Sequence, residues 1–354
     1  MLFRSNVFSS ESANTVKNDL IQVVENPEGT ANDMKVAGVT IAGKTGTDEL
    51  KTSSTDTESG TLGWFDCFTV DYPSGRDMLI ISMVENTQNN RDGGSHYLIK
   101  NALIHSDNIF FGQAAMQIGS KAFCESLDKL GFNEQIDFPL TLKKAQYSNS
   151  DKAISTEKKL ADSGYGQGDI LVNPIHMASI YSAFTNEGNM IKPYIEYKED
   201  AKAEYLKENV FSSSIIGKTG LEQAYEDTLR GIDGTEIYII DENGTRLKTL
   251  AIQDKKDGTD VKLTIDSNIQ KQLYYQMKDD KGFFVVMEPK TGELLALVST
   301  PSYDSNDFVL GLTNAQWDEL NSDENKPLYN RFLQSYCPGS TFKSITAAVG
   351  LTTG

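Results

Sequence analysis

The sequence predicts an α+β fold in which helices cover one antiparallel sheet. Three observations predict it: a β-branched run at 36–43, two apolar runs at 283–287 and 294–299 that a turn joins, and an apolar helical segment after residue 340. The 354 residues, 38% of them hydrophobic, can bury one large domain with an accessory piece. The expected strands are 36–47, 63–71, 78–85, 283–288 and 293–299. The expected helices are 94–118, 121–131, 173–186, 266–278 and 340–350.

The first predicted strand ends in Lys44-Thr45-Gly46-Thr47. Because Gly46 has no side chain, a ligand can lie close to the backbone at this point. The hydroxyls of Thr45 and Thr47 and the ammonium of Lys44 can hold a carboxylate. The alternative is an ordinary turn.

Ser106-Asp107-Asn108 interrupts an otherwise apolar stretch within the predicted helix 94–118. A polar group buried there without a partner would cost about 1–3 kcal/mol, which favours a functional role for Ser106 and Asn108. The alternative is a helix junction whose polar groups are satisfied locally.

Two further Lys-Thr-Gly tripeptides occur, and neither has the setting of a site. Lys290-Thr291-Gly292 joins two apolar runs and predicts a hairpin turn. Lys218-Thr219-Gly220 precedes a predicted helix. We therefore interpret both as structural.

Ser340 and Lys343 lie in the first turn of the last predicted helix, after Tyr336-Cys337-Pro338-Gly339. Residues three apart share a helix face, so the Lys343 amine can accept the Ser340 proton if burial or a second cation lowers its pKa. The alternative is an amphipathic helix with an incidental serine and lysine. Ser155 to Lys158 has the same spacing without this setting.

Together the three motifs and their flanks resemble a class B penicillin-binding protein, especially the low-affinity, methicillin-resistance type. The supporting flanks are 161–168, 173–176, 63–65, 217–231, 262–266 and 301–304. The implied fold is that of penicillin-binding transpeptidases and serine β-lactamases. The implied activity is D-alanyl-D-alanine transpeptidation of peptidoglycan stem peptides, with β-lactams acylating the same serine.

The resemblance also implies residue roles. Ser340 would attack the penultimate D-Ala carbonyl, Lys343 would take its proton, and Ser106 would relay a proton to the leaving amine. Asn108 would orient the substrate amide. The backbone N–H groups of Ser340 and Thr47 would form the oxyanion hole. A carboxylate would bind to Lys44, Thr45 and Thr47, beside Gly46.

The motif order is the reverse of the family order. We expect four blocks: 1–100 with Lys-Thr-Gly, 101–208 with Ser-Asp-Asn, 209–260 from a non-catalytic domain, and 261–354 with Ser340 and Lys343. A circular permutation only rotates the order of the three motifs and never reverses it, so this chain is not a circular permutation of the family sequence. The helix at 94–118 would be fused from two places in the family fold, which predicts either a disrupted fold or a domain-swapped dimer.

Composition excludes several classes of partner and site. The formal net charge of −17 argues against nucleic acid and anionic membrane surfaces. Three cysteines and three histidines, scattered along the chain, predict neither disulfides nor a metal site, and no cofactor is expected. Cys337 is expected to be a packing residue.

The start of the sequence has no apolar signal segment, and no run approaches 18 apolar residues. The family works on the extracytoplasmic face of the cell membrane, so the resemblance implies that location although no anchor is predicted here.

Two other functions stay open at this point. A β-lactamase would need a second base for deacylation, and no flank resembles one. A β-lactam-binding sensor, or an inert shuffled chain, would keep the motifs without catalysis.

Overall fold

The computed structural model describes residues 2–49, 61–73, 75–85, 103–149, 153–197, 217 and 219–354. The 94–102 part of the expected helix lies outside these residues. The chain forms two compact units. One comprises 1–136, 142–195 and 265–354, and the other comprises 137–141 and 196–264.

The secondary structure of the described residues is as follows. The strands are β1 (Leu2–Arg4), β2 (Thr40–Glu49), β3 (Thr61–Val70), β4 (Leu79–Glu85), β5 (Met190–Ile191), β6 (Thr235–Ile240), β7 (Arg246–Gln253), β8 (Gly282–Met287) and β9 (Leu294–Thr300). The helices are α1 (Ser10–Glu25), α2 (Asn108–Ile118), α3 (Ser120–Lys129), α4 (Glu157–Gly164), α5 (Pro174–Ser182), α6 (Gly220–Ala224), α7 (Glu226–Leu229), α8 (Ser267–Met277), α9 (Ser305–Leu310), α10 (Asn314–Ser322) and α11 (Lys343–Thr353). Short 3₁₀ turns occur at Asn32–Met34, Arg331–Leu333 and Gly339–Phe342.

The larger unit contains one antiparallel sheet of five strands in the order β2-β3-β4-β8-β9. Strands from distant parts of the chain meet at its centre, where Ile81 of β4 pairs with Val285 of β8. The predicted single antiparallel sheet is therefore confirmed. Its first strand begins at Thr40 and not at 36, because Val36 and Val39 form a tight turn with Gly38 at φ +78°.

Helices cover both faces of this sheet. On one face lies α5, all nine residues of which are buried, in contact with β4 and β8. On the other face, Ile269 and Leu273 of α8 pack against a buried cluster that includes Val286 and Leu295. Apolar burial on both faces stabilises the sheet, and the predicted α+β class is confirmed.

The prediction of one continuous helix at 94–118 is wrong for residues 103–118, the part that the structure describes. A turn occupies His105 and Ser106, and Ser106 has φ +55°. A new helix, α2, then begins at Asn108. Its N-cap is Asp107, whose side chain accepts hydrogen bonds from the N–H groups of Ile109 at 2.8 Å and Phe110 at 3.1 Å. The positive φ and the cap together interrupt the helix at the Ser-Asp-Asn motif.

The smaller unit contains α6, α7 and the hairpin of β6 and β7. The helix expected after Lys218-Thr219-Gly220 is present as α6. On the hairpin, Arg246 forms an ion pair with Glu236 and stacks over the ring of Tyr238 at 4.8 Å. In the described ranges, no helix has the length and apolar character needed to span a bilayer.

Candidate active site

Ser340 lies in a 3₁₀ turn, Gly339–Phe342, that leads directly into α11. The expected helix is therefore present, although its first turn is tighter than an α-helix. Backbone contacts hold this turn in place: Gly339 N–H donates to the Gly166 carbonyl at 3.0 Å, and the Tyr181 hydroxyl donates to the Thr341 carbonyl at 2.7 Å. Because Gly166 and Tyr181 are both buried, contacts with the core fix the position of Ser340.

Lys343 connects Ser340 with the Ser-Asp-Asn motif. Its Nζ lies within hydrogen-bond distance of four oxygen atoms: Ser340 Oγ at 2.8 Å, Asn108 Oδ1 at 2.5 Å, Ser106 Oγ at 3.0 Å and the Ser106 carbonyl oxygen at 2.6 Å. The side chain is fully buried. A buried amine in contact with a serine hydroxyl is the arrangement needed to take up the hydroxyl proton.

Lys44 approaches the same motif from β2. Its Nζ donates to Ser106 Oγ and to the Thr45 carbonyl, each at 3.0 Å. Burial lowers the pKa of Lys44 to about 7, so neutral and charged forms coexist near neutral pH. Ser106 Oγ thus lies between two lysine amines. The backbone of Ser106 is left-handed, a conformation that costs energy in a residue other than glycine.

Gly46 has a different contact from the one that the sequence predicted. A Cβ at this position would lie 2.9 Å from Thr341 Cγ2 and 3.0 Å from the Pro338 carbonyl oxygen. Gly46 therefore lets β2 approach the turn that carries Ser340. On the other side of this contact, a Cβ at Gly339 would lie 2.6 Å from the Thr47 carbonyl oxygen, so the two glycines together set the spacing of Thr47 and Ser340.

Thr30 was not identified from the sequence. Its Oγ1 accepts a hydrogen bond from Thr45 Oγ1 at 2.9 Å, and its N–H donates to the Ile104 carbonyl at 3.2 Å. Thr45 and Thr47 are both partly exposed. Thr30 precedes Lys44 by 14 positions in a polar loop, so neither helical nor strand periodicity indicates this contact.

Cys337 lies just before the turn that carries Ser340. Its Sγ donates to the Gly166 carbonyl at 3.0 Å, and burial raises the pKa of this thiol well above its ordinary value. The thiol is therefore held protonated, as a packing residue would be. In the part of the chain that the structure describes, no group of His, Cys, Asp or Glu side chains is arranged to hold a metal ion.

Asp66 is a further buried residue that the sequence did not indicate. It pairs with Lys44 across β2 and β3, is fully buried, and accepts no hydrogen bond of good geometry at either carboxylate oxygen from the described residues. Burial raises the pKa of Asp66 well above 3.8, and the nearby Thr341 hydroxyl and Ser82 backbone N–H offset this rise only in part. Burial thus favours the protonated form of this carboxyl group behind the Ser340 turn.

This protonation predicts a pH-dependent stability. Below pH 3.8 the folded and unfolded chains are both protonated at Asp66. As the pH rises, the unfolded chain releases this proton first, so the free energy of unfolding falls by up to about 1.4 kcal/mol per pH unit until the folded pKa is reached. Asp66→Asn cannot ionise. As the pH rises above 4, we expect the Tm of Asp66→Asn to increase relative to that of the wild type, as measured by calorimetry. An equal pH dependence for both proteins would contradict the assignment.

The family model described as penicillin binding protein transpeptidase domain matches residues 3–97, 90–238 and 282–354, which is most of the chain. The chain belongs to this transpeptidase family. All three motifs that meet around Ser106 lie within the matched residues of the family domain.

Curated relatives of the family domain are similar over part of the chain. Penicillin-binding protein 3 of Bacillus subtilis (strain 168) is 40% identical over 199 residues, 56% of this chain and 29% of the relative. Peptidoglycan D,D-transpeptidase MrdA is 36% identical in Acinetobacter baumannii, over 45% of this chain and 24% of the relative. The Escherichia coli K12 protein of the same name is 38% identical over 41% of this chain and 23% of the relative. The chain therefore spans less than a third of the length of these relatives.

Proposed function

We propose that this chain is a penicillin-binding D-alanyl-D-alanine transpeptidase that cross-links peptidoglycan through an acyl-enzyme on Ser340. The observation that carries the proposal is the continuous set of hydrogen bonds from Ser340 Oγ through Lys343 Nζ and Ser106 Oγ to Lys44 Nζ. Membership of the transpeptidase family and the names of the relatives support it.

In the acylation step, Ser340 Oγ attacks the carbonyl carbon of the penultimate D-Ala and passes its proton to Lys343 Nζ. The amide C–N bond then breaks, and the leaving amine takes a proton from Ser106, which Lys343 or Lys44 replenishes. Ser106 suits this relay because its hydroxyl lies 3.0 Å from both amines. Opening of a β-lactam ring would use the same proton transfers.

Two sets of groups would bind the acyl donor. The oxyanion would be held by the backbone N–H groups of Ser340 and Thr47, which the glycine contacts bring close together. The terminal carboxylate would bind beside Gly46 at the partly exposed hydroxyls of Thr45 and Thr47. Because Lys44 Nζ is buried against Ser106, we propose that Lys44 acts on the carboxylate through its charge and on Ser106 through its proton.

In this proposal Asn108 has two tasks. Its Oδ1 holds Lys343, and its amide NH₂ group orients the substrate amide. Both tasks follow from the position of Asn108 at the start of α2, directly after the turn at Ser106.

Several finer expectations accompany the proposal. They are the low-affinity, methicillin-resistance type, the reversed block order with its four-block division, the domain-swapped dimer, and work on the extracytoplasmic face of the membrane. All five catalytic candidates are brought together within one chain, so the swapped dimer is not needed for the site and is tested separately by light scattering.

The second candidate function is a β-lactam-binding sensor. It would be acylated by β-lactams but would not transfer a peptide to an amine.

The test is covalent labelling with a fluorescent penicillin, followed by peptide mapping. We expect one label per chain on the peptide that contains Ser340, and competition by a synthetic peptide ending in D-Ala-D-Ala. Incubating the same donor peptide with an amine then separates a transpeptidase, which forms the amide product, from a sensor, which does not. Label on another peptide, or no label, would contradict the proposal.

A further inference from the structure

Asp66 lies in the middle of β3 and is fully buried. Its register partner on β2 is Lys44, and cross-strand partners project from the same face of a sheet. The Lys44 amine is directed to Ser106 Oγ and the Thr45 carbonyl, however, and among the described residues neither carboxyl oxygen of Asp66 has a hydrogen-bond partner. A buried carboxylate without a partner costs far more free energy than the neutral acid.

The hydroxyl groups behind the turn that carries Ser340 have already placed their protons. The Thr341 hydroxyl, which lies near Asp66, donates to the Pro338 carbonyl at 2.9 Å. The Tyr181 hydroxyl of α5 donates to the Thr341 carbonyl at 2.7 Å. A hydroxyl has one proton and two lone pairs, so each of these groups can only accept a further hydrogen bond. Asp66 therefore fits this setting as a donor.

Among the described titratable groups around Asp66, only Lys44 would stabilise a carboxylate by its charge. Burial lowers the pKa of Lys44 to about 7, so a large part of it is neutral near that pH. Tyr181, from α5, and Cys67, the next residue of β3, are neutral when protonated, and burial raises the pKa of both. These surroundings favour the neutral form of Asp66.

Thr341 connects this carboxyl group with the turn that carries Ser340. Its hydroxyl closes the turn through the hydrogen bond to the Pro338 carbonyl. Its methyl group is also the closest contact of β2 with the turn, because a Cβ at Gly46 would lie 2.9 Å from Thr341 Cγ2. A displacement of Thr341 would therefore move both the Ser340 hydroxyl and the Ser340 N–H group.

We propose that Asp66 is a positioning residue for acylation: as a neutral acid it donates a hydrogen bond to Thr341 Oγ1 and so fixes the turn that carries Ser340. The inference rests on the proposed function above. The resulting chain runs from the Asp66 O–H to Thr341 Oγ1 and from the Thr341 O–H to the Pro338 carbonyl. Asp66 keeps its proton throughout and touches no reacting atom.

The first test asks whether Asp66 carries a proton. The infrared difference spectrum between the unaltered full chain and Asp66→Asn, recorded at neutral pH, contains the C=O stretch of a neutral carboxyl group or the bands of a carboxylate. We expect the neutral band. Carboxylate bands alone would overturn the inference, whatever the activity of the chain.

The second test measures acylation by fluorescent penicillin over a range of concentrations. Asp66→Leu removes the donor and keeps a similar volume. We expect its acylation rate constant to fall by about tenfold to a hundredfold, because the serine is misplaced, while reversible binding changes little. Asp66→Asn retains an N–H donor for Thr341 Oγ1, so its rate constant should lie within about threefold of the wild-type value.

Thr341→Val removes the proposed acceptor and tests the connection itself. We expect slower acylation, and little further loss when this change is combined with Asp66→Leu, because the two side chains act through one hydrogen bond. Melting curves show which variants are folded. If Asp66→Leu is not folded, Thr341→Val takes its place in the comparison with Asp66→Asn.

Asp77→Asn is the matched control. Asp77 is also a buried acid, but its partners are Thr69, Tyr72 and Lys290, which lie outside the turn that carries Ser340. Its acylation rate constant should equal that of the unaltered chain.

The outcomes separate the two proposals. Absence of Ser340 labelling in the unaltered chain would overturn the proposed function, and this inference with it. Normal labelling of the unaltered chain, together with wild-type rate constants in Asp66→Leu or Thr341→Val, would overturn the inference alone. So would an Asp66→Asn protein that is as slow as Asp66→Leu, or as slow as Thr341→Val where that variant replaces it.

Discussion

Replacing Ser340 by alanine is expected to abolish covalent labelling by penicillin. Ser340 Oγ is the hydroxyl that the buried Lys343 amine contacts, at 2.8 Å, and the proposed acyl ester cannot form at this position without it. Removing a nucleophile of this kind typically lowers a rate by about 10⁶-fold, which gel fluorescence records as complete loss. The variant should fold normally, because Ser340 is partly exposed and alanine is smaller.

Ser155→Ala is the control for this result. Ser155 and Lys158 have the same sequence spacing as Ser340 and Lys343, yet both are exposed and Ser155 lies just before α4. Its labelling should equal that of the unaltered chain. Residual labelling of Ser340→Ala at the wild-type rate would mean that another residue is acylated.

Replacing Lys343 by methionine is expected to slow acylation by about 10²–10⁴-fold while the fold is retained. The Lys343 amine makes hydrogen bonds to Ser340, Ser106 and Asn108, so its loss would remove the proposed proton acceptor and the link between the motifs. Methionine has a similar length and fits the fully buried position without a charge to desolvate.

Stopped-flow or timed-gel labelling over a range of penicillin concentrations measures this effect. It separates the acylation rate constant, which should fall, from the concentration dependence of reversible binding, which should change little. Lys158→Met, at the exposed position with the matching spacing, is the control and should react at the normal rate. A Lys343→Met protein that unfolds at the same temperature as the wild type and is acylated as fast would rule out Lys343 as the base.

The sequence separation of the motifs is no obstacle to the geometry of the site. Lys44, Ser106 and Lys343 lie far apart along the chain, yet their polar atoms meet within hydrogen-bond distance. The central pairing of β4 with β8 joins residues some 200 positions apart in the same way. Strand pairing and side-chain packing depend on which surfaces fit, and chain order affects mainly the connections and the folding rate.

The sequence by itself determined the fold class, the sheet strands and the catalytic candidates, because alternating apolar residues and short motifs are local signals. The i, i+3 spacing of Ser340 and Lys343 already predicted that their side chains would meet, and the structure brings them together. The two structural Lys-Thr-Gly tripeptides were also separable from Lys44-Thr45-Gly46 by their neighbours alone.

Only the tertiary structure decided the contacts between segments far apart in the chain. It placed Gly46 against Thr341 and not against an open ligand surface, linked Thr30 to Thr45, and left the Asp66 carboxyl buried behind the turn that carries Ser340. It also ended the expected helix at Ser106, where a left-handed residue lets one hydroxyl face two lysines. Each of these features depends on the packing of β2, α2 and the Ser340 turn against one another, and no local pattern in the sequence encodes that packing.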